Sequence, residues 1–446
     1  MSKNRSIGTK LHVGEIDDDE LTIILRNVLP RGAQFRPGEV EYRTMADETV
    51  LTLKYHNGKI ADAEAWPAMT SDLEQEIYAA ADAGLAQGEP AVCRWTMFSG
   101  KPVEGTWRYR EDFQIVPAPP EAPRPTELWA ERPFLVEFIF QTSSNWQIQQ
   151  HRYARKAADL LLILNLLLNT RITAPANRGR KHWVWAPQGS PTPALWAQEG
   201  YMIPNFTYIV RGFPEVQAPR LEQIPANKYH SREGYTETLA VPAEMTELLD
   251  TFWALKPDDR ERFLRACYWH HMASVVWPYS QSLHLISLVN SVECLSSVGP
   301  ARHRPEGPHE MFRAFMRRFA PRRHSAAAFG LGPTAIFKSL MKRFAPGAPS
   351  GRVLDSIYKT RSNITHGERL LHFDSGLFAA PLSQNSAIDR EVGDNAVILC
   401  RGALINWLWN QRSAASGELL LTRGIRSEKP AKPGTKSSVR LIIPGK

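Results

Sequence analysis

The sequence predicts a multidomain α+β protein, with mixed α/β N-terminal regions followed by an all-α helical bundle. Three observations lead there. The chain has 446 residues, too many for one ordinary core and enough for two or three domains. Short apolar runs bounded by turn residues fill the first half, whereas from Ala243 the apolar spacing becomes helical. Between them runs Val116–Pro125, VPAPPEAPRP, and such proline-rich sequence is extended and semi-rigid, as a linker is.

Residues 1–115 read as a small mixed domain. The acidic Asp17–Glu20 precedes a helical stretch, Leu21–Val28, which suits the positive end of a helix dipole. Val50–Tyr55 reads as a strand that ends in the turn His56-Asn57-Gly58. Asp72–Leu85 is rich in Ala and Glu and is stopped near Gly88, so it reads as a helix. Ala91–Phe98 and Thr106–Ile115 read as strands, with Gly100 and Gly105 between them. Residues 116–127 are the expected linker, and residues 128–240 a second mixed region. That region has an apolar strand at Phe134–Gln141 and a long buried helix at Gln147–Leu168. His182–Trp185 and Thr207–Val210 are short strands in this reading. His151, His182 and Trp183 stand out there, and a structural role is the plainer reading of each.

Residues 243–411 read as the bundle. Its helices are Glu244–Ala254, Asp258–Trp277, Ser280–Ser297, Arg352–His366 and Ile388–Trp409. Asp258 or Asp259 is the expected cap of the second, and Pro278 its stop. Long helices with apolar faces satisfy themselves only by packing together. An insertion, residues 301–351, holds two similar pieces, FMRRFAP at Phe315–Pro321 and LMKRFAP at Leu340–Pro346. Each resembles a short amphipathic basic helix stopped by proline. Residues 412–446 form a basic tail rich in Lys, Pro, Gly and Ser, expected to be largely disordered.

Composition narrows the function classes. The formal charge is +8, and the four cysteines are scattered without a CxxC pair, so neither a disulfide framework nor a zinc site is expected. No metal or cofactor is predicted. The N-terminus lacks the apolar run of a secretory signal. Leu160–Leu168 is about half the length needed to span a bilayer. A soluble, cytoplasmic chain without a membrane partner is the expectation. No GxxxxGK[ST], HExxH or GxSxG string occurs, leaving ATPase, zinc protease and serine hydrolase chemistry unsupported.

The informative string is Leu354-Asp355-Ser356-Ile357-Tyr358-Lys359-Thr360-Arg361-Ser362-Asn363-Ile364-Thr365-His366-Gly367. Leu354, Ile357, Tyr358, Arg361 and Ile364 share one helical stripe. Arg361 therefore stands at a core position, and a buried guanidinium needs a partner, a wet cleft or another subunit. Glu293 is misplaced in the same way inside the apolar run Ile286–Leu295, so it is the expected internal partner of Arg361. A purely structural ion pair is the alternative. His366 lies five residues on, about 140° around an ideal helix. Gly367 resolves the mismatch if it is the residue just past a helix ending at His366. The imidazole then sits beside free carbonyls, a position suited to a general acid.

The spacing Arg361-x4-His366 at the end of a bundle helix resembles the HEPN superfamily. The fuller string Tyr358-x2-Arg361-Ser362-x3-His366-Gly367 is similar to its Apea-like group. So are Arg262-Phe263-Leu264-Arg265-Ala266-Cys267-Tyr268-Trp269 and Val292-Glu293-Cys294-Leu295. The resemblance covers about residues 243–411. It implies an all-α HEPN-like bundle that dimerises, bringing two such motifs together. It also implies metal-independent RNA cleavage by 2′-hydroxyl attack on the adjacent phosphate. His366 is then the general acid or base and Arg361 holds the phosphate, with Ser362 or Asn363 orienting them. Active HEPN nucleases often carry Asn, Asp or His directly after the arginine, where this chain has Ser362.

Charge points the same way. Ten Lys or Arg fall between residues 301 and 343 against Glu306 and Glu310. Arg313, Arg317, Arg318, Arg322, Arg323, Lys342 and Arg343 are the nucleic-acid-binding candidates among them. Phe312, Phe315, Phe319, Phe329 and Phe337 are interleaved, a pattern that suits a phosphate backbone with unstacked bases. Equally, the phenylalanines dock the insertion on the bundle while the charges are merely solvated. Two functions follow: an RNA endonuclease, of the toxin or defence-effector kind, or a non-catalytic dimerising module that binds RNA or protein.

Overall fold

The computed structural model describes residues 4–29, 33–86, 88–126, 130–168, 170–174, 182–185, 194–197, 201–230, 236–296, 307–321, 351–374, 384–412 and 420–421. The chain is mixed α/β and divides into two compact units. The first is Met1–Leu161 with Ile172–Arg220, and the second Leu162–Arg171 with Leu221–Lys446.

The first unit holds two main antiparallel sheets. One contains β1 (Arg5–Ser6), β2 (Ala33–Arg36), β3 (Glu39–Arg43), β4 (Thr49–His56) and β5 (Lys59–Ala65), in the order β1-β5-β4-β3-β2. Asn57 and Gly58 both take positive φ, 52° and 78°, which a tight hairpin turn requires. Helices α1 (Asp18–Val28) and α2 (Ser71–Leu85) belong to the same core. Asp17 caps α1, accepting from the amides of Asp19 and Glu20 at 3.1 and 3.3 Å. Leu21, Ile24 and Leu25 recur on one face of α1 and are buried with Tyr42, Leu51, Leu53, Ile77 and Ala81.

The other sheet contains β6 (Pro90–Ser99), β7 (Trp107–Tyr109), β8 (Phe113–Pro117), β9 (Arg132–Gln141) and β10 (Ile172–Thr173), in the order β10-β6-β9-β8-β7. After α3 (Trp146–Leu167) come a separate hairpin of β11 (His182–Trp185) and β12 (Ala194–Ala197), and β13 (Ile209–Val210), which pairs with β6. Two expectations are corrected here. Thr106–Ile115 is a hairpin and not one strand, because the chain reverses at Arg110, whose φ is +47°. Residues 116–127 do not divide domains: β8 and β9 on either side pair from Phe113↔Phe138 to Pro117↔Phe134. Val116, Ala118 and Ala122 are buried with Leu135, Tyr201 and Ile203. Proline stiffens the segment but leaves the flanking strands free to form their ladder.

Cations on α3 tie this unit together. Arg152 grips Glu20 with two bonds of 2.8 and 2.7 Å and also donates to the carbonyls of Thr142 and Gly84. Lys156 reaches Asp112 and the Ile139 carbonyl. Arg155 and His151 both meet Asp17.

In the second unit β14 (Gln223–Ile224) and β15 (Val241–Pro242) form a short parallel pair flanking α4 (Ala226–Tyr229). Then come α5 (Met245–Trp253), α6 (Pro257–Val276), α7 (Gln281–Ser296), α8 (Pro308–Phe319), α9 (Gly351–Thr365) and α10 (Gln384–Asn410). The helix limits fall within a few residues of those expected from periodicity. The cap of α6 is corrected: Lys256 precedes it without a side-chain cap bond, and Pro257 starts it, since proline's fixed φ suits the first helical turn. Phe252, Phe263, Leu288, Val292, Leu354, Ile357, Leu399 and Leu404 are buried. Phe312, Phe315, Met316 and Phe319 of α8 are buried too. Asn406, fully buried, donates to the Phe319 carbonyl at 2.8 Å and so fastens the end of α8 to α10. No helix among the described residues is long and apolar enough to cross a membrane. Cys93, Cys267, Cys294 and Cys400 are free thiols.

Two glycines of α10 should behave oppositely. A Cβ on Gly402 would lie 2.3 Å from the Pro321 ring, whereas Gly393 has open space. Gly402→Ala is expected to destabilise by about 1–3 kcal/mol through overpacking. Gly393→Ala should be neutral or stabilising by up to about 1 kcal/mol. Urea unfolding checks both.

Histidines set a second expectation. Burial, then the nearby Arg401 charge, pushes His270 down to about 3. His230 and His284 are also lowered, chiefly by burial. Their folded values lie below the unfolded 6.5, so the stability they carry is complete above that pH. It is lost as pH falls below 6.5, for His270 progressively toward 3, at up to about 1.4 kcal/mol per pH unit. Thermal unfolding should show the drop, and His270→Gln should make it shallower.

Candidate functional site

Helix α9 buries Leu354, Ile357, Thr360 and Ile364, and this fixes where its polar residues emerge. Arg361 Nη2 donates to Glu293 Oε2 at 2.7 Å and to Asn290 Oδ1 at 3.0 Å. Both acceptors lie on α7, three residues apart and thus on one face. The contact expected between Arg361 and Glu293 is therefore present. The pair is mostly enclosed, with side-chain exposures of 20% and 24%. The buried Nε of Arg361 has no hydrogen-bond partner, and Nη1 forms none among the described residues. Tyr358 adds a third contact. Its ring centre is 5.7 Å from the guanidinium carbon, within cation–π reach. Burial, and then the Glu293 charge, pushes its phenol pKa up.

Beyond Tyr358 the site extends into α8. His309 stacks on the Tyr358 ring, with centroids 4.7 Å apart and planes 20° from parallel, and Phe312 packs beside it. His309 Nε2 and Arg313 Nε lie 3.2 and 3.1 Å from the same Asp355 oxygen. Arg313 also donates to Glu310 at 2.8 Å.

The C-terminal end of α9 is a Schellman turn. Gly367 takes φ +76°, its amide donates to the Ile364 carbonyl at 3.1 Å, and the Glu368 amide donates to the Asn363 carbonyl at 2.8 Å. Gly367 thus occupies the position the sequence assigned it. The neighbouring carbonyls, expected to be free, are in part consumed by this turn, and the Thr365 hydroxyl takes that of Arg361 at 2.9 Å. Those of Asn363, Ile364 and Arg361 are therefore not open beside the imidazole. His366 is exposed, and no hydrogen bond or ion pair joins it to Arg361 among the described residues. Asn363, with its amide turned to donate, reaches the Lys359 carbonyl and Glu368 at 3.1 Å each. It serves the helix end and does not orient Arg361. Ser362 is half-buried on the same turn.

The loop after the motif is held by two carboxylates that the sequence reading missed. Asp374 accepts from the Ser280 hydroxyl and from the amides of Gln281 and Ser282, at 2.9, 3.0 and 2.6 Å, and so caps α7. These bonds hold its carboxyl below the usual range against the opposing effect of burial. Asp389 accepts from Arg369 and, at 2.8 Å, from the His372 amide. Asn290, His309 and Asp355 were missed as well. Asn290 was open to detection, three residues before Glu293, but nothing in the sequence pairs 309 with 355.

No protein family, curated protein or solved structure matches the chain. Function is therefore argued from the chemistry of these side chains. The basic candidates divide. Arg313 is committed to Glu310 and Asp355, which corrects its place among the free phosphate contacts. Arg317 and Arg318 are exposed on α8. Arg322, Arg323, Lys342 and Arg343 lie outside the described residues. Phe312, Phe315 and Phe319 dock α8 and are closed to base stacking, as their burial at 0%, 7% and 6% requires.

Removing the carboxylate leaves a largely enclosed guanidinium short of its partner. Glu293→Ala is expected to destabilise by about 1–3 kcal/mol. Arg361→Met in that background should recover part of the loss. A double-mutant cycle by urea unfolding measures the coupling, which additive costs would reduce to zero.

Proposed function

We propose that residues 243–411 form a HEPN-type helical bundle that cleaves RNA without a metal ion. The observation that carries the reading is Arg361, held by Glu293 and Asn290 through Nη2 with Nη1 uncommitted among the described residues, five residues before an exposed histidine. In the reaction a ribose 2′-oxygen attacks the adjacent phosphorus and the bond to the 5′-oxygen breaks. The products are a 2′,3′-cyclic phosphate and a 5′-hydroxyl. His366 moves the proton, as base toward the 2′-hydroxyl or as acid toward the leaving oxygen. Arg361 stabilises charge on the phosphate through Nη1, while Glu293 and Tyr358 hold it in place. Arg317 and Arg318 supply sequence-independent attraction for the strand. A homodimer brings a second copy of the motif to the same substrate, and a toxin or defence effector is the biological role such an activity fits.

A second reading is favoured by a specific observation. Glu293 cancels the charge of Arg361, and no bond links Arg361 to His366. A non-catalytic dimerising module that binds RNA through Arg317 and Arg318 needs neither.

Purified protein is expected to cleave single-stranded RNA in EDTA and to leave cyclic phosphate ends. His366→Ala and Arg361→Ala should each lower the rate about 100-fold or more. Cleavage unchanged in His366→Ala removes the nuclease assignment. Salt-sensitive RNA binding without turnover, weakened in Arg317→Glu/Arg318→Glu, selects the second reading.

A further inference from the structure

The first unit carries a feature that the nuclease reading does not use. Between α1 and α3 lies a groove of about 330 Å³, at the small end of the ligand-pocket range of roughly 300–1,000 Å³. Ile23 and Ala154 give it an apolar lining, and Trp146 lines it from the first turn of α3. Trp146 is 68% exposed, and no aromatic stack or hydrogen bond engages it among the described residues. An aromatic of this size left largely open beside a groove has ring surface to offer a stacking partner.

The polar residues around it are also uncommitted. Arg26 reaches the groove from the last turn of α1, is exposed, and makes no ion pair among the described residues. Asn27, Gln147 and Gln150 line it as well, and their side-chain amides have no hydrogen-bond partner among the described residues. By contrast, two cations of α3 are paired, Arg152 with Glu20 and Lys156 with Asp112. Asp17, whose charge would repel an anion, is paired with Arg155, and His151, the remaining lining residue, lies 3.1 Å from it.

We infer that this groove binds a nucleotide unit, with its base stacked on Trp146 and its phosphate at Arg26. The class follows from the complement of groups. A flat apolar face calls for a planar ring. Amides offer both donors and acceptors, as the edge of a nucleobase requires. One guanidinium without an internal carboxylate calls for an anion, and phosphate suits its fork of N–H groups. A purely apolar partner would leave the amides and Arg26 desolvated and unpaired. The inference concerns residues 23–154 and stands whether or not the Arg361 site is catalytic.

Calorimetry on the full chain tests it. The probes are AMP, GMP, CMP and UMP, adenosine, inorganic phosphate and a deoxyribose trinucleotide, which lacks the 2′-hydroxyl needed for cleavage. Binding of a mononucleotide shows that a free nucleotide is taken. Binding of the trinucleotide alone shows that the groove holds one unit of a strand. In either case Trp146→Ala should weaken binding at least about fivefold, the low end of aromatic–base stacking. Arg26→Gln should erase the preference for AMP over adenosine. Both residues are exposed, and an unchanged thermal melt of each variant separates lost binding from lost folding. No binding of any probe at millimolar concentration overturns the inference, as does binding that Trp146→Ala leaves unaltered.

Discussion

The candidate site depends on one constraint: a guanidinium set on the inward stripe of a helix has to be answered by a carboxylate. Arg361 occupies a position that periodicity reserves for the core, and Glu293 answers it at 2.7 Å from α7. Because the partner lies on another helix, the bond fixes the registry of α7 against α9. Tyr358, one turn earlier, shares that registry, and His309 and Phe312 pack on its ring. Through these contacts one ion pair places three helices. An enclosed pair of this kind adds little net stability, since desolvation offsets much of its attraction, yet separating its members is costly. Its geometry sets Glu293 of α7 opposite Arg361 of α9.

The other end of α9 is determined by backbone requirements. A helix that stops at a left-handed residue turns its chain sharply, and Gly367 allows this at no steric cost. The emerging loop is then captured twice, by Asp374 on the amides of α7 and by Asp389 on the chain near Arg369. His366 thus stands at a junction whose backbone is fixed on both sides while its imidazole remains open. A fixed main chain with an uncommitted ring is what a proton-transfer group needs, and it is equally what a surface histidine without a task has.

Much of this was legible in the sequence, and the legible parts share a cause. Helical periodicity located α5, α6, α7, α9 and α10 to within a few residues, because each buries a continuous stripe. Glu293 and Arg361 betrayed themselves as charges inside apolar runs. Gly367 was readable from its type and place. The failures share a cause as well. β2 and β3 went unseen, since each is only four or five residues long, although Val40 and Tyr42 alternate with charges in β3 as a half-buried strand requires. Composition made 116–127 look like a linker, although pairing between β8 and β9 is a long-range fact that composition does not encode. His309 and Asp355, and Asp374 with its cap of α7, are likewise contacts between distant segments.

The phenylalanines of α8 bear most directly on what the second unit does. The sequence left two uses open for them, base stacking or docking, and burial of Phe312, Phe315 and Phe319 decides for docking. Any strand bound along α8 must then be held by charge, without stacking there, and such binding is insensitive to sequence and steeply sensitive to salt. Arg313 contributes little to it, because Glu310 and Asp355 already absorb its charge. The exposed cations of α8 among the described residues are therefore Arg317 and Arg318.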